Sequence, residues 1–120
     1  MKTLDRRHVL GLYGEQVAAD FLVRSGFQIL ERNFRTRFGE IDIICEDEDS
    51  LVFVEVKTRN SGSHLAGLEA IDNAKLERIR ATITQYKKAH PQHRKPPRID
   101  AVSVSVAGAT VKIEHLRQVA

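Results

Sequence analysis

Asp42, Glu55 and Lys57 are the residues of this chain best spaced to do chemistry together. Thirteen positions separate the two acids, and the lysine follows the second in a Glu-x-Lys step. They lie in two apolar runs, residues 41–44 and 51–56, on either side of the acidic turn Asp47-Glu48-Asp49-Ser50. Runs rich in Ile, Val and Phe around such a turn predict an antiparallel strand pair. Side chains alternate along a strand, so Glu55 and Lys57 share a face with Phe53, while Ile41, Ile43, Val54 and Val56 project from the other. Pairing Asp47 with Ser50, or Glu46 with Leu51, gives paired numbers that sum to 97. That register sets Asp42 opposite Glu55 and Glu40 opposite Lys57; a one-residue slip would separate the two acids.

Opposed residues have Cβ atoms roughly 4.5–5.5 Å apart, where like charges repel. Two carboxylates on apolar strands call for a positive charge between them. A hard divalent cation, Mg²⁺ with Mn²⁺ as an alternative, is typically held by one or two carboxylates plus waters and phosphates. Such an ion activates water and neutralises a phosphate, and a lysine beside it can hydrogen-bond the attacking water or the phosphate oxygen. The chemistry this set fits is phosphodiester hydrolysis. Glu-x-Lys recurs by chance, and the acid in register across the hairpin is what gives the set its specificity. Surface strands with ordinary Glu55–Lys57 or Glu40–Lys57 ion pairs are the competing reading, opposed by the near-continuous apolar runs. Phosphates other than nucleic acid remain open at this point.

The remaining elements must position these groups. Residues from about 5 to 25 predict a helix, capped by Thr3 or Asp5 and ended by Ser25-Gly26. Leu10, Val17, Ala18, Phe21 and Leu22 form its apolar stripe, and Gly11 and Gly14 suggest close packing on the sheet. Glu15 falls on the border of that stripe, where it could face the acidic centre or simply water. Residues 27–32 predict a first strand, and residues 33–38 a connection, with Arg32, Arg35 and Arg37 close together. Residues 60–67 read as a loop bordering the Glu55–Lys57 strand, and His64 in it as incidental more often than functional. A second helix is expected from about 68 or 72 to 89, with Asp72 as cap and Pro91 beyond its end. Its core stripe is Leu76, Ile79, Ile83 and Tyr86. A polar stripe, Lys75, Arg78, Thr82 and Gln85, faces phosphate or water. Residues 90–98 form a basic loop containing Arg94 and Lys95, and two strands follow at 99–106 and 111–115, with Val102, Val104 and Val106 on the buried face. His90 and His93 do not make a zinc site, because no helix is expected past Pro91.

The chain has 120 residues, enough for a single domain spanning 1–120, with 42% hydrophobic and 29% charged residues. No apolar run suits a membrane span or a signal peptide. Cys45 has no partner for an internal disulfide, which suits the cytoplasm, and reads as a small buried hydrophobe. The net charge of +3 is uneven: residues 75–98 hold eight Lys or Arg against the single acid Glu77. An acidic centre beside a basic segment suits a polyanion near a metal, although a solvated helix face gives the same pattern. Walker, dinucleotide-binding, Cys-x-x-Cys and His-Glu-x-x-His motifs are absent.

Gly14-Glu15, Arg32-Asn33, residues 39–42 (Gly-Glu-Ile-Asp), residues 52–59, Lys75 and Arg98-Ile99-Asp100 together resemble the bacterial YraN-like family, over nearly the whole chain. That family is similar to the restriction-endonuclease-like nucleases, including archaeal Holliday-junction resolvases. The resemblance implies an α/β fold with a restriction-endonuclease-like core: a mixed central sheet flanked by helices, in the order α-β-β-β-α-β, plus a final strand. It implies Asp42, Glu55 and the helix-borne Glu15 as metal ligands and Lys57 as the catalytic lysine. The family's own activity is unsettled, so "nuclease" is inherited at superfamily level. Residues 63–70 depart from the family's usual Phe-Gly and proline.

The expected function is Mg²⁺-dependent endonucleolytic hydrolysis of DNA, in branched or damaged form, with a non-catalytic nucleic-acid-binding module of the same fold as the alternative. A third reading is an interaction protein with an incidental acidic cluster. Arg35, Arg37, Arg59, Lys75, Arg78, Arg94 and Lys95 are the expected backbone contacts. The expected partners are nucleic acid, DNA rather than RNA, and a second copy of the chain, with no membrane.

Overall fold

The computed structural model describes residues 5–60 and 72–120. Thr3 as an alternative cap, the 61–67 loop with His64, a helix start at 68 and the divergent 63–70 stretch lie outside the described residues.

The elements run α1 (Arg6–Arg24), β1 (Gln28–Thr36), β2 (Gly39–Glu46), β3 (Leu51–Asn60), α2 (Asn73–Ala89), β4 (Pro97–Ala107) and β5 (Thr110–Leu116). This is the expected mixed α/β order, consistent with a nuclease-like core. The caps explain both helix starts: Asp5 accepts from His8 N–H and Asp72 from Lys75 N–H, each at 2.8 Å. At the end of α1, Gly26 takes φ +97°. The Gly26 N–H donates to the Val23 carbonyl and the Phe27 N–H to that of Leu22, each at 3.0 Å. That turn buries Phe27 beside Leu22 and launches β1.

The strand order is β1-β2-β3-β4-β5. All neighbours are antiparallel except β3 and β4, which run parallel because α2 crosses over between them. One face of the sheet packs under α1, with Ile43, Cys45, Val52, Val54, Val102 and Val104 against Ala18 and Leu22. The other packs under α2, with Ile44, Phe53 and Ile99 against Ile79, Ile83 and Tyr86. No described helix is long and apolar enough to cross a membrane.

Several expectations are corrected. Residues 33–36 are not a connection but the second half of β1, since Arg35 and Thr36 pair with Glu40 and Gly39. Gly14 does press on the sheet, where a Cβ would lie 2.7 Å from Thr58 Cβ, but Gly11 faces open space. β4 is buried on both faces, Ala101 and Ser103 included, because it lies inside the sheet rather than at its edge. Ile41 does not share a face with Ile43; it packs in the α2 core. The cause of that last departure lies at the acidic centre.

Candidate metal and phosphate site

The β2–β3 register is the one the turn predicts: Glu46 pairs with Leu51, Cys45 with Val52, Ile44 with Phe53 and Ile43 with Val54. Asp47 fixes it, since its carboxylate accepts the N–H groups of Asp49 and Ser50 at 2.9 and 2.8 Å. The ladder then stops. Where Asp42 would pair with Glu55, its Oδ2 instead accepts the Val56 N–H at 2.8 Å. A side chain has replaced a backbone carbonyl as acceptor, and beyond this point β2 keeps its pairing with β1 while it leaves β3. Ile41 turns to the α2 side within this opening. Glu40 therefore does not face Lys57: it pairs with Arg35 on β1, and the Arg35 guanidinium lies 3.3 Å from its carboxylate.

The acids gather around the opening. Burial, and then the Glu55 carboxylate beside it, push the Asp42 carboxyl up to about 7, with Glu15 and Glu40 adding in the same direction. Glu55 is itself nearly buried, its side chain 11% exposed. Gly39, Glu40, Asp42, Glu55, Lys75, Arg78 and Ile79 line a cavity of about 230 Å³ there. Glu15 comes from the opposite face of the sheet, on α1, at the height that Gly14 sets against Thr58.

Two lysines attend Glu55. Lys75 Nζ lies 2.5 Å from Glu55 Oε1, and Lys57 Nζ 3.8 Å from the same oxygen. Burial and the neighbouring Lys75 hold the Lys57 ammonium below the usual lysine range. Lys75 is shifted the other way: burial pulls it down, but its hydrogen bond to Glu55 and the neighbouring Lys57, Glu55 and Asp42 together outweigh that and raise it. The α2 stripe read from spacing thus faces the site rather than open water: Lys75 and Arg78 line the cavity, while Thr82 is buried and donates to the Arg78 carbonyl.

The other basic residues fall elsewhere. Arg37 stacks over Phe38 at 4.9 Å in the β1–β2 turn. Arg59 follows Lys57 on the same face of β3, its Nε buried. Lys95 lies at the far end of the hairpin, where it donates to the Asp47 carbonyl at 2.7 Å and sits 3.5 Å from Glu46. From Leu51 to Glu55 is four strand steps, about 13 Å. Exposed Arg94 is next to Lys95, so neither borders the acids.

Asn33 is the site residue that spacing did not single out, although Arg32-Asn33 is among the family-like motifs. It adopts φ +54°, a left-handed conformation that asparagine tolerates better than most side chains. The flanking pairs Arg32↔Ile43 and Phe34↔Ile41 set it beside Asp42. With its NH₂ turned to the acids, the amide donates to Glu15 at 2.9 Å and to Glu40 at 3.3 Å. It ties the helix-borne acid to the strand-borne one.

The donor set is all oxygen, which suits a hard cation. Asp42 and Glu55, both partly buried, repel each other, and a divalent ion would relieve the repulsion. Among the described residues no three His, Cys, Asp or Glu side chains form a ready-made cage. The fit is therefore to an ion held by two carboxylates and completed by water and phosphate oxygens, as Mg²⁺ usually is. Lys75 competes with such an ion for Glu55. Cys45 plays no part: its burial pushes the thiol up to about 12.

A model described as "Uncharacterised protein family UPF0102" matches residues 14–104, which include Glu15, Asn33, Asp42, Glu55, Lys57, Lys75 and Asp100. The UPF0102 protein of Syntrophomonas wolfei is 42% identical over 107 residues, covering 89% of this chain and 93% of its own. That of Renibacterium salmoninarum is 44% identical over 109 residues, 90% and 92% of the two chains. That of Paenarthrobacter aurescens is 42% identical over 120 residues, 99% of each.

Proposed function

The chain belongs to the uncharacterised protein family UPF0102, and we propose that it is a metal-dependent endonuclease that hydrolyses phosphodiester bonds of DNA in the cytoplasm. The observation that supports this reading best is the parting of β2 from β3 at Asp42, which leaves Glu40, Asp42 and Glu55 around one cavity with Lys75 and Arg78, and Lys57 beside Glu55.

Asp42 and Glu55 would hold Mg²⁺ or Mn²⁺, with Glu15 reaching it through water. When bound, that ion polarises a phosphate oxygen and makes a water nucleophilic near neutral pH. The protein's own groups do the rest. Asp42 is oriented by the Val56 N–H, so its second oxygen is free for the cavity. Lys57, held beside Glu55 on a rigid strand, is placed to hydrogen-bond the attacking water or a non-bridging oxygen. Lys75 leaves Glu55 for the incoming phosphate, and Arg78 on the next turn of α2 binds the adjoining backbone.

The test is a cleavage panel of single-stranded, duplex, flap and four-way DNA with Mg²⁺ and with Mn²⁺, beside Glu55→Gln and Lys57→Ala. Product from at least one substrate, falling by about 10²-fold or more in both variants, is the expected result. No product from any substrate sinks the reading.

The Lys75–Glu55 ion pair also suits a second reading, a nucleic-acid-binding module without turnover. It predicts DNA binding with no cleavage by wild type and Asp42→Asn alike, and no rise in melting temperature with Mg²⁺; an ion that binds only the folded chain must raise it.

A further inference from the structure

The two edges of the sheet are finished differently. β1 is blunted by a register shift between Ile29 and Glu31 and by the left-handed Asn33. β5 runs from Thr110 to Leu116 in unbroken register against β4, and no described strand pairs with its outer side. A regular open edge is a template for another strand unless something blunts it.

The sequence of β5, Thr-Val-Lys-Ile-Glu-His-Leu, complements its own charge. Laid antiparallel on itself about Ile113, it sets Lys112 opposite Glu114 twice, once on each side of the axis. Both residues point to the same face, 3.9 Å apart within one chain. On the other face, Val111 falls opposite His115. There the strand adjoins α1: apolar Tyr13, Val17, Val111 and Ile113 line one surface groove together with Asp20 and Arg24. Tyr13 and Val111 in this groove are 46% and 37% exposed, adjoining apolar surface of the kind that marks an interface. A two-fold axis perpendicular to the sheet keeps both α1 helices on the same side, so the two grooves meet across the seam.

We propose that β5 pairs with β5 of a second copy of this chain, antiparallel about Ile113, so that two five-stranded sheets become one. Lys112–Glu114 pairs close one face of the seam, and the Tyr13–Val17–Val111–Ile113 grooves close the other. The contact is self-complementary, as a two-fold dimer requires. It does not depend on the nuclease reading.

Sedimentation equilibrium of the full chain tests it. The wild type is expected at twice 13.6 kDa, or 27.2 kDa. Lys112→Glu alone and Glu114→Lys alone each put like charges at two symmetric positions, and each should weaken the dimer about tenfold or more. The double exchange restores opposite charges and should recover the wild-type Kd. Lys112 and Glu114 lie on the surface strand, and cooperative thermal melting checks that each variant folds. Hydrogen exchange on the wild type is a second readout: β5 amides should gain protection as concentration rises. A wild type that stays monomeric to about 100 µM, single exchanges that leave Kd unchanged, or a double exchange that fails to recover it would each overturn the proposal.

Discussion

Asp42 sets the proposed metal site against the stability of the metal-free fold. Its carboxyl is raised in the folded chain, to about 7, so the folded state binds the proton more tightly than the unfolded state. Stability is therefore fullest below the unfolded value of about 4 and falls as pH rises towards 7. Asp42→Asn keeps an acceptor for the Val56 N–H and removes the repulsion with Glu55. It should stabilise the metal-free chain at pH 8 by about 1–2 kcal/mol and abolish any rise in melting temperature with Mg²⁺. Thermal melts of both proteins at pH 5 and pH 8 check this, and equal stability at pH 8 would contradict it. Asn33 offers a second probe. Asn33→Gly tolerates the left-handed backbone but loses the amide that joins Glu15 to Glu40. The fold should survive while the Mg²⁺-dependent rise in melting temperature shrinks.

At the scale of elements, two contacts matter: one seats α1 on the sheet and the other ties β5 to β4. Gly14 lets α1 settle on Thr58 of β3, and at that height Glu15 meets the Asn33 amide of β1 and adds its charge to that around Asp42. A methyl group there would overlap Thr58, and overpacking of this kind destabilises by about 1–3 kcal/mol. Gly14→Ala should show that loss in urea melts, and Thr58→Gly in the same chain should return part of it. The second contact ties the end of β5 to the start of β4. Burial pushes the Asp100 carboxyl up, but hydrogen bonds from His115, Arg98 and the Gln118 N–H outweigh it and hold the group at about 2. A lowered carboxyl contributes stability above its unfolded value of about 4 and loses it as pH falls through about 2. Asp100→Asn should therefore flatten the loss of stability between pH 4 and pH 2, a change on the order of 2 kcal/mol, read by urea melts at each pH.

For the whole molecule, charge and edges matter most. The basic excess of residues 75–98 divides in three dimensions. Lys75 and Arg78 border the acids, whereas Lys95 and Arg98 lock the hairpin turn to β4 through Asp47. If DNA crosses the cavity, Arg78→Ala should weaken binding about equally for all sequences and lower the salt-dependence slope by about 1, while Arg94→Ala should do less. Fluorescence anisotropy across a salt series distinguishes them.

The chain's order determined a good deal by itself. Helix caps at Asp5 and Asp72, the Asp47 turn and the register of β2 against β3 all follow from neighbours a few residues apart. So does the meeting of Asp42, Glu55 and Lys57, because strand period and turn geometry are local. Tertiary structure decided the rest. The ladder ends at Ile43 because the Asp42 side chain takes a backbone donor from β3, a competition that alternation cannot express. Glu40 went to Arg35, and Ile41 to the α2 core, as consequences of that break. The approach of Lys75, the amide bridge of Asn33 and the open edge of β5 each depend on which elements become neighbours. Long-range packing chooses those neighbours, and no window of local sequence contains that choice.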